Sequence, residues 1–264
     1  MEKISRLIDF TGKTALITGA GKGAGMDIAR VFASAGADIA ITYASHGDEA
    51  GALAEELRAE GIKAETFKFN QADVNEAEPL IDAVIKAFGR LDILVNNAGI
   101  YPAQPMNKIT ETDWDSMLDT NTKGVFFLSR IAAKKMKETG GGSIVNISSI
   151  NASNPAGNLV HYGISKAAVE MMTRCMAHEC GPDVRVNCVA PGLIWAEGQE
   201  QWIPGWRESY SERAPLGRLV KAEEIGKACA FFASDLASAV TGQTLTVDCG
   251  VMLAPCYDNS LKDI

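Results

Sequence analysis

The sequence predicts an α/β protein, a single doubly wound domain with a central parallel sheet of about seven strands and helices on both faces. Three observations carry this. Short apolar segments alternate strictly with longer segments of helical periodicity. The apolar segments lack the period-two alternation of a half-exposed strand, the pattern expected of strands covered on both faces. Several helical segments stop at a glycine, the residue that most readily takes the left-handed conformation at a helix end.

The elements follow in chain order. Thr14–Thr18 is an apolar strand running straight into glycines, and Gly23 to Ala35 has helical spacing with Met26, Ile28, Ala29, Val31 and Phe32 apolar, stopped by Gly36. Asp38–Tyr43 is the second strand, Ala50–Glu60 a helix stopped by Gly61, Ala64–Phe69 the third strand and Ala77–Phe88 a helix ended by Gly89. Leu91–Val95 is the fourth strand. Glu111–Asp119 is a helix, entered through Thr110 and Asp113 in capping-box spacing. Gly124–Glu138 is a long apolar helix, Ser143–Ile147 the fifth strand, Ser165–Glu179 a helix and Val184–Val189 the sixth strand. Ala222–Ala233 is a helix, and Thr244–Val247 the last strand. No linker, repeat or low-complexity stretch breaks the rhythm, so residues 1–264 read as one domain. The least regular stretch, Trp195 to Pro215, holds Trp202, Trp206, two prolines and several charges. It reads as a substrate loop or lid within that domain.

Composition narrows the functional classes. Of 264 residues, 47% are apolar and 22% charged, enough to bury a full core without metal or disulfide. A net charge of −8 disfavours nucleic acid and anionic membrane as general partners. Six cysteines, from Cys175 to Cys256, form no C-x-x-C pair and do not group with the three histidines, so reduced thiols and no metal site are expected. Met1 to Asp9 is charged and has no apolar signal-peptide core, and no apolar run reaches transmembrane length. A cytoplasmic location is the expectation.

The first strand opens into Thr18-Gly19-Ala20-Gly21-Lys22-Gly23-Ala24-Gly25. A strand, glycine loop and helix in succession present free N–H groups and a positive helix end to a pyrophosphate, as in the Rossmann dinucleotide site. A glycine triplet alone also fits a tight βα turn. The acid that usually follows the second strand, and binds a ribose 2′-hydroxyl, is missing: the stretch reads Tyr43-Ala44-Ser45-His46. No carboxylate there repels a 2′-phosphate, while Lys22, Ser45 and His46 can bind one. NADP is therefore favoured, with NAD the alternative.

Tyr162 and Lys166 lie four residues apart, a spacing that puts both on one helix face. A phenol titrates near 10, and a neighbouring ammonium and an oxidised nicotinamide would both favour its phenolate. Ser148-Ser149 follows the fifth strand and Asn96-Asn97-Ala98-Gly99 the fourth, at the carboxyl edge where open parallel sheets bind ligands.

Together these motifs resemble the short-chain dehydrogenase/reductase family, over nearly the whole chain from Lys13 to about Gly250. The resemblance rests on TGAGKGAG (Thr18–Gly25), NNAG (Asn96–Gly99), Asn121 in NTKG, the serine of ISS, YGISK (Tyr162–Lys166), Pro191-Gly192 and TGQTLTVDCG (Thr241–Gly250). It implies an oxidoreductase that moves a hydride between NAD(P) and an alcohol or ketone. Family spacing puts the catalytic serine 13 residues before the tyrosine, at Ser149 and not Ser148. The resemblance makes Tyr162 the acid/base and Ser149 the group that orients the substrate oxygen. Lys166 lowers the tyrosine pKa and binds the nicotinamide ribose, and Asn121 holds a water that links Lys166 to solvent. It assigns Asp73 and Val74, in QADV, to the adenine, Asn97, Ala98 and Gly99 to the adenosine side, and Pro191, Gly192 and Ile194 to the nicotinamide carboxamide.

The chain departs from the family pattern in two places. Ala196 stands where a threonine is usual, removing a hydroxyl contact to the cofactor, and Cys249 replaces the first glycine of VDGG. The latter reads as a packing change. Trp195, Trp202, Trp206, Pro204 and Tyr101 flank the expected substrate side and point to an apolar or ring-bearing substrate, steroid-like or a 3-oxoacyl thioester; the same tryptophans also fit packing of the lid. A cofactor-binding regulator or scaffold without turnover is the alternative on the same fold. The resemblance further implies a homotetramer with Ala222–Gly250 a candidate interface, and about 14 residues after Gly250 that cover the substrate site or a partner subunit.

Overall fold

The computed structural model describes residues 8–194 and 206–253, except the side chain of Trp206. Expectations resting on Trp195, Ala196, Trp202, Pro204, Cys256 and the tail from 254 onward lie outside these residues.

Seven strands form one sheet: β1 (Thr14–Ile17), β2 (Asp38–Tyr43), β3 (Ala64–Lys68), β4 (Ile93–Asn96), β5 (Gly142–Ile147), β6 (Val184–Pro191) and β7 (Thr244–Val247). All neighbours pair in parallel in the order β3-β2-β1-β4-β5-β6-β7. The chain winds outward from β1 to β3, then returns to the other side of β1 with β4. This reversal opens a crevice at the carboxyl ends of β1 and β4, the place where doubly wound sheets take ligands.

The strands lack period-two patterning because both faces are covered. Leu16 and Ile17 in β1 are both fully buried, yet they belong to two different apolar clusters. Ile17, Ile39, Ile41 and Val95 pack with Phe32 of α1 (Ala24–Ser34) and Phe232 of α8 (Ala222–Ala233). Leu16, Leu94, Ile144 and Val186 pack with Ile81 of α3 (Ala77–Phe88) and Leu128 of α5 (Gly124–Glu138). Successive side chains of one strand therefore supply opposite cores.

Helix boundaries follow local chemistry. In α4 (Glu111–Leu118) the capping box forms as the spacing predicts, Thr110 Oγ1 accepting from Asp113 N and the Asp113 carboxylate accepting from Thr110 N. Gly89 ends α3 with φ 86°. The helix α2 (Gly47–Ala59) starts three residues before the predicted Ala50.

Three departures bear on function. The helix α6 (Val160–Cys180) begins five residues before the predicted Ser165, so Tyr162 lies in its first turn. Between α4 and α5 the chain forms a π-helical segment, Asp119–Lys123, instead of ending cleanly. Such wide turns commonly mark functional positions. Lastly, the stretch read as irregular contains the helix α7 (Trp206–Arg213).

One glycine is fixed by close approach. A side chain on Gly124 would fall on the Gln71 carbonyl oxygen, which clamps the start of α5 against the loop after β3. The Gln71 amide then donates to Ala98 O at 3.0 Å and Thr120 O at 2.8 Å, tying the β4 loop to the π-helical segment.

Candidate active site

The glycine loop forms a cradle with no room for side chains where the backbone folds inward. A methyl group on Gly19 would lie 2.8 Å from Ala98 Cα, and one on Gly25 would lie 2.6 Å from Gly19 O and 2.7 Å from Asn97 Nδ2. Gly23 takes φ 58° and faces open space, where it precedes α1 without any side-chain cap. The first turn of α1 thus has no side-chain cap for its N–H groups, which fits a bound pyrophosphate.

Thr18 Oγ1 accepts from the backbone N–H groups of both Asn97 and Ala98, and Asn97 Nδ2 donates to Thr18 O at 2.9 Å. The glycine loop and the β4 loop are thus one unit. Around it, Gly21 abuts His46 and Tyr43, while Ser45 Oγ and His46 Nδ1 bond each other at 2.9 Å. Lys22 is exposed at the rim. Asp48 and Glu49, the carboxylates that follow in sequence, stand exposed in the first turn of α2. Asp73 is exposed after β3, and its Oδ1 accepts from Asn75 N, with Val74 opening a short 3₁₀ turn. Pro191, Gly192 and Ile194 lie at the carboxyl end of β6, where Ile194 bridges to Val220.

The four residues assigned to catalysis converge at the ends of β4 and β5. Ser149 is the cap of a 3₁₀ turn, its Oγ accepting from Asn151 N at 3.1 Å, and its hydroxyl lies near enough to the Tyr162 phenol to act on its proton affinity. Ser148 faces the other way, donating to Lys166 O and Glu170 Oε1. The structure therefore separates two adjacent serines that composition alone leaves equivalent. Lys166 is buried at 5% exposure, and its Nζ donates to Ile147 O at 2.8 Å. Asn121 is fully buried in the π-helical segment. Its Oδ1 accepts from Ile100 N and its Nδ2 donates to Ile100 O, both at 2.9 Å. A methyl group on Gly99 would lie 3.1 Å from Asn121 Oδ1 and 3.6 Å from Lys166 Nζ, so these three residues meet.

Burial dominates the electrostatics. It pushes the Tyr162 phenol above its ordinary value, with the Ser149 hydroxyl opposing and Tyr101 adding to the rise. The resemblance gives Lys166 the task of lowering that pKa. Here its ammonium turns to Ile147 O, 5.8 Å from the Tyr162 ring centroid, and burial prevails. Lys166 itself falls from 10.5 to about 8, because burial disfavours its charge.

Sequence reasoning missed several supporting side chains. Ser165 Oγ donates to Tyr162 O at 2.7 Å and accepts from Asn121 Nδ2 at 3.1 Å, joining the first turn of α6 to the π-helical segment. His161, directly before Tyr162, is fully buried with neither ring nitrogen hydrogen-bonded among the described residues. Ser165 sits inside the YGISK motif and His161 directly before it, but neither carries a sequence mark of its own role. Cys249 adopts φ 57°, the left-handed region glycine prefers. It is also packed, partly buried, against the apolar cluster that holds Phe32 and Phe232, so the packing reading stands beside a backbone angle the sequence does not show.

Fold and site together define a dinucleotide-binding oxidoreductase. A family model described as enoyl-(acyl carrier protein) reductase matches residues 19–252. The 3-oxoacyl-(acyl-carrier-protein) reductase of Staphylococcus aureus is 36% identical over 242 residues, covering 91% of this chain and 98% of that protein. Among solved structures, a 7α-hydroxysteroid dehydrogenase complexed with NADH and 7-oxo glycochenodeoxycholic acid matches with TM-score 0.90 and 35% identity, over 95% of this chain and 98% of that one. A gluconate 5-dehydrogenase from Burkholderia cenocepacia, in complex with NADP and tartrate, matches with TM-score 0.87 and 33% identity, over 94% and 98%. The chain belongs to the short-chain dehydrogenase/reductase family and is an NAD(P)-dependent oxidoreductase acting on a small molecule. Among the described residues no helix is long and apolar enough to cross a membrane.

The buried lysine makes stability depend on pH. Below pH 8 both folded and unfolded forms hold the Lys166 proton, and the folded form bears the full cost of a buried charge, about 3 kcal/mol for this shift. Between about pH 8 and 10.5 the folded form releases the proton first, so stability rises with pH; above 10.5 the cost is gone. Lys166→Met is expected to melt at a higher temperature than the parent at pH 7, with the gap closing towards pH 10.5. Equal melting temperatures at pH 7, measured without ligand, would contradict this.

Proposed function

We propose that the protein interconverts a secondary alcohol and a ketone with NADP preferred over NAD, Tyr162 acting as the acid/base. The observation that carries this is the convergence of Ser149, Tyr162 and the buried Lys166, its Nζ 5.8 Å from the Tyr162 ring centroid, at the end of β5. Two hydroxyls meeting at one point suit a single substrate oxygen. Ser149 Oγ receives its own bond from Asn151 N, which leaves its proton to hold that oxygen. Tyr162, kept protonated by burial, gives its proton to the same oxygen as the carbonyl becomes an alcohol, and takes it back in oxidation. Lys166 holds the nicotinamide ribose, and Asn121 with Lys166 returns a proton to Tyr162 from the solvent side.

When bound, NADPH supplies the hydride that reaches the carbonyl carbon. Gly19, Gly21, Gly23, Ala24 and Gly25 hold its pyrophosphate, Asp73 and Val74 the adenine, and Asn97, Ala98 and Gly99 the adenosine side. Lys22, Tyr43, Ser45 and His46 surround the 2′-phosphate, and Pro191, Gly192 and Ile194 meet the carboxamide. An apolar or ring-bearing substrate, hydroxysteroid or 3-oxoacyl in type, is supported by Tyr101. It is 53% exposed, and its ring lies edge-on to Tyr162 with centroids 6.3 Å apart. Residues 1–264 act as one domain and assemble as a homotetramer through the Ala222–Gly250 region.

Tyr162→Phe is expected to lower kcat by about 10²- to 10⁴-fold while leaving NADPH affinity unchanged, the range typical of one lost acid/base group. Absorbance of the reduced cofactor, followed across a panel of 3-oxoacyl thioesters, oxosteroids and sugar ketones, measures this and finds the substrate class; near-parental turnover in the variant sinks the assignment. Lys22→Ala should lose more affinity for NADPH than for NADH by calorimetry, and equal losses remove the case for NADP. Light scattering should give four times the chain mass, against which a monomer would count.

A further inference from the structure

The turn that ends β6 is held from three directions. Gly192 N donates to Val247 O at 2.9 Å, Val220 N donates to Leu193 O at 3.2 Å, and Leu193 N donates to the Tyr210 hydroxyl at 2.9 Å. The first two partners are backbone atoms of neighbouring segments of the main body. The third is a side chain of α7, the helix that follows the Trp195–Gly205 stretch in the chain.

Tyr210 is built into this position. It is 6% exposed, the one buried side chain of α7 among those described, whereas Arg207, Glu208, Ser209, Glu212 and Arg213 are exposed and Ser211 intermediate. The turn is shaped to receive it. A side chain on Gly192 would lie 2.5 Å from the Tyr210 hydroxyl oxygen and 2.8 Å from Asp248 Cα, so only glycine lets the phenol, the turn and the start of the Asp248 turn meet. Asp248 is itself fixed by accepting from Gly250 N and Met252 N, both at 2.8 Å. Among the described side chains of α7, the buried one is thus a phenol whose oxygen accepts from a backbone N–H of the body.

We infer that Tyr210 is a positioning residue: its hydroxyl sets the Gly192–Ile194 turn against the nicotinamide end of the cofactor and makes that turn answer to the placement of α7. This rests on the reading above, in which Pro191, Gly192 and Ile194 face the nicotinamide carboxamide. Leu193 N is the amide between two of those residues. Losing its acceptor frees the turn to rotate about Gly192, which has no side chain to resist, and the adenosine half of the site, on β1 to β4, is untouched. Movement of α7 on binding substrate would then be felt at the nicotinamide and not at the adenine.

Tyr210→Phe tests this, because the ring and its burial remain and only the acceptor is lost. Calorimetry on the intact chain should show NADPH binding weakened about tenfold, the loss expected when a buried donor is left without its partner. Binding of the same dinucleotide lacking nicotinamide, ADP-ribose 2′-phosphate, should be unchanged, while the melting temperature falls modestly because the Leu193 N–H has lost its acceptor. A purely structural role would weaken both ligands equally, and that result overturns the inference, as does unchanged affinity for both. Hydrogen exchange at the Leu193 amide gives a readout independent of any ligand: it should accelerate in the variant, and unaltered exchange also overturns the clamp. If the parent protein binds neither NADPH nor NADH, the functional reading fails and takes the nicotinamide role with it, while exchange at Leu193 still decides whether Tyr210 holds the turn.

Discussion

The alignment of β4 with β5 is the constraint on which the rest of the site depends. Asn96 and Asn146 are register partners in these strands, and Asn96 Nδ2 donates to Asn146 Oδ1 at 2.8 Å inside the sheet. The pair extends on both sides, Asn96 Nδ2 reaching Ser129 of α5 and Asn146 Nδ2 reaching Thr173 of α6. All four residues are buried. A slip of one residue would strand these polar groups, at about 1–3 kcal/mol for each one left unpaired. It would also part Asn97 and Gly99 from Ser149, since both follow directly from the paired asparagines. An apolar pair would pack as well and specify less.

From that alignment the chemistry follows outward. Strand β4 delivers the loop that Thr18 locks to the glycine cradle, and β5 delivers Ser149. The helix α6 closes the gap because it starts early enough to carry Tyr162 in its first turn and Lys166 one turn on. Burial is the shared cause behind both perturbed groups, and it acts in opposite senses on them: it keeps the proton on the phenol and loosens it from the ammonium. The two groups, nearly matched in water, are thereby set apart, with the phenol the tighter holder of its proton.

Much of this was legible in the sequence. The strands fall within a few residues of their predicted ends, because a fully apolar run bounded by glycine and charge has few other places to go. The glycine loop, Asn121, Ser149, Tyr162 and Lys166 were all named, and the structure brings the last four together. What escaped detection was geometry without a compositional mark. Leu159 offers α6 no side-chain cap, so nothing announces a start at Val160. The wide turn at Asp119–Lys123 is made mostly of weak helix formers, Asp, Thr and Asn, which do not distinguish a widened turn from a helix end. The polar α7 has no apolar stripe, and Tyr210, its one buried side chain among those described, stands between serines and charges. Cys249 packs against the core as read, but its left-handed backbone angle has no compositional mark.

The buried lysine also bears on how the protein tolerates mutation. A native state that already sets about 3 kcal/mol against itself at one functional position lies closer to the threshold below which it would not stay folded. Each random substitution elsewhere then has less room before it matters. A cavity opened at Leu16, Ile93 or Val145 therefore draws on a margin that the buried Lys166 charge has already narrowed.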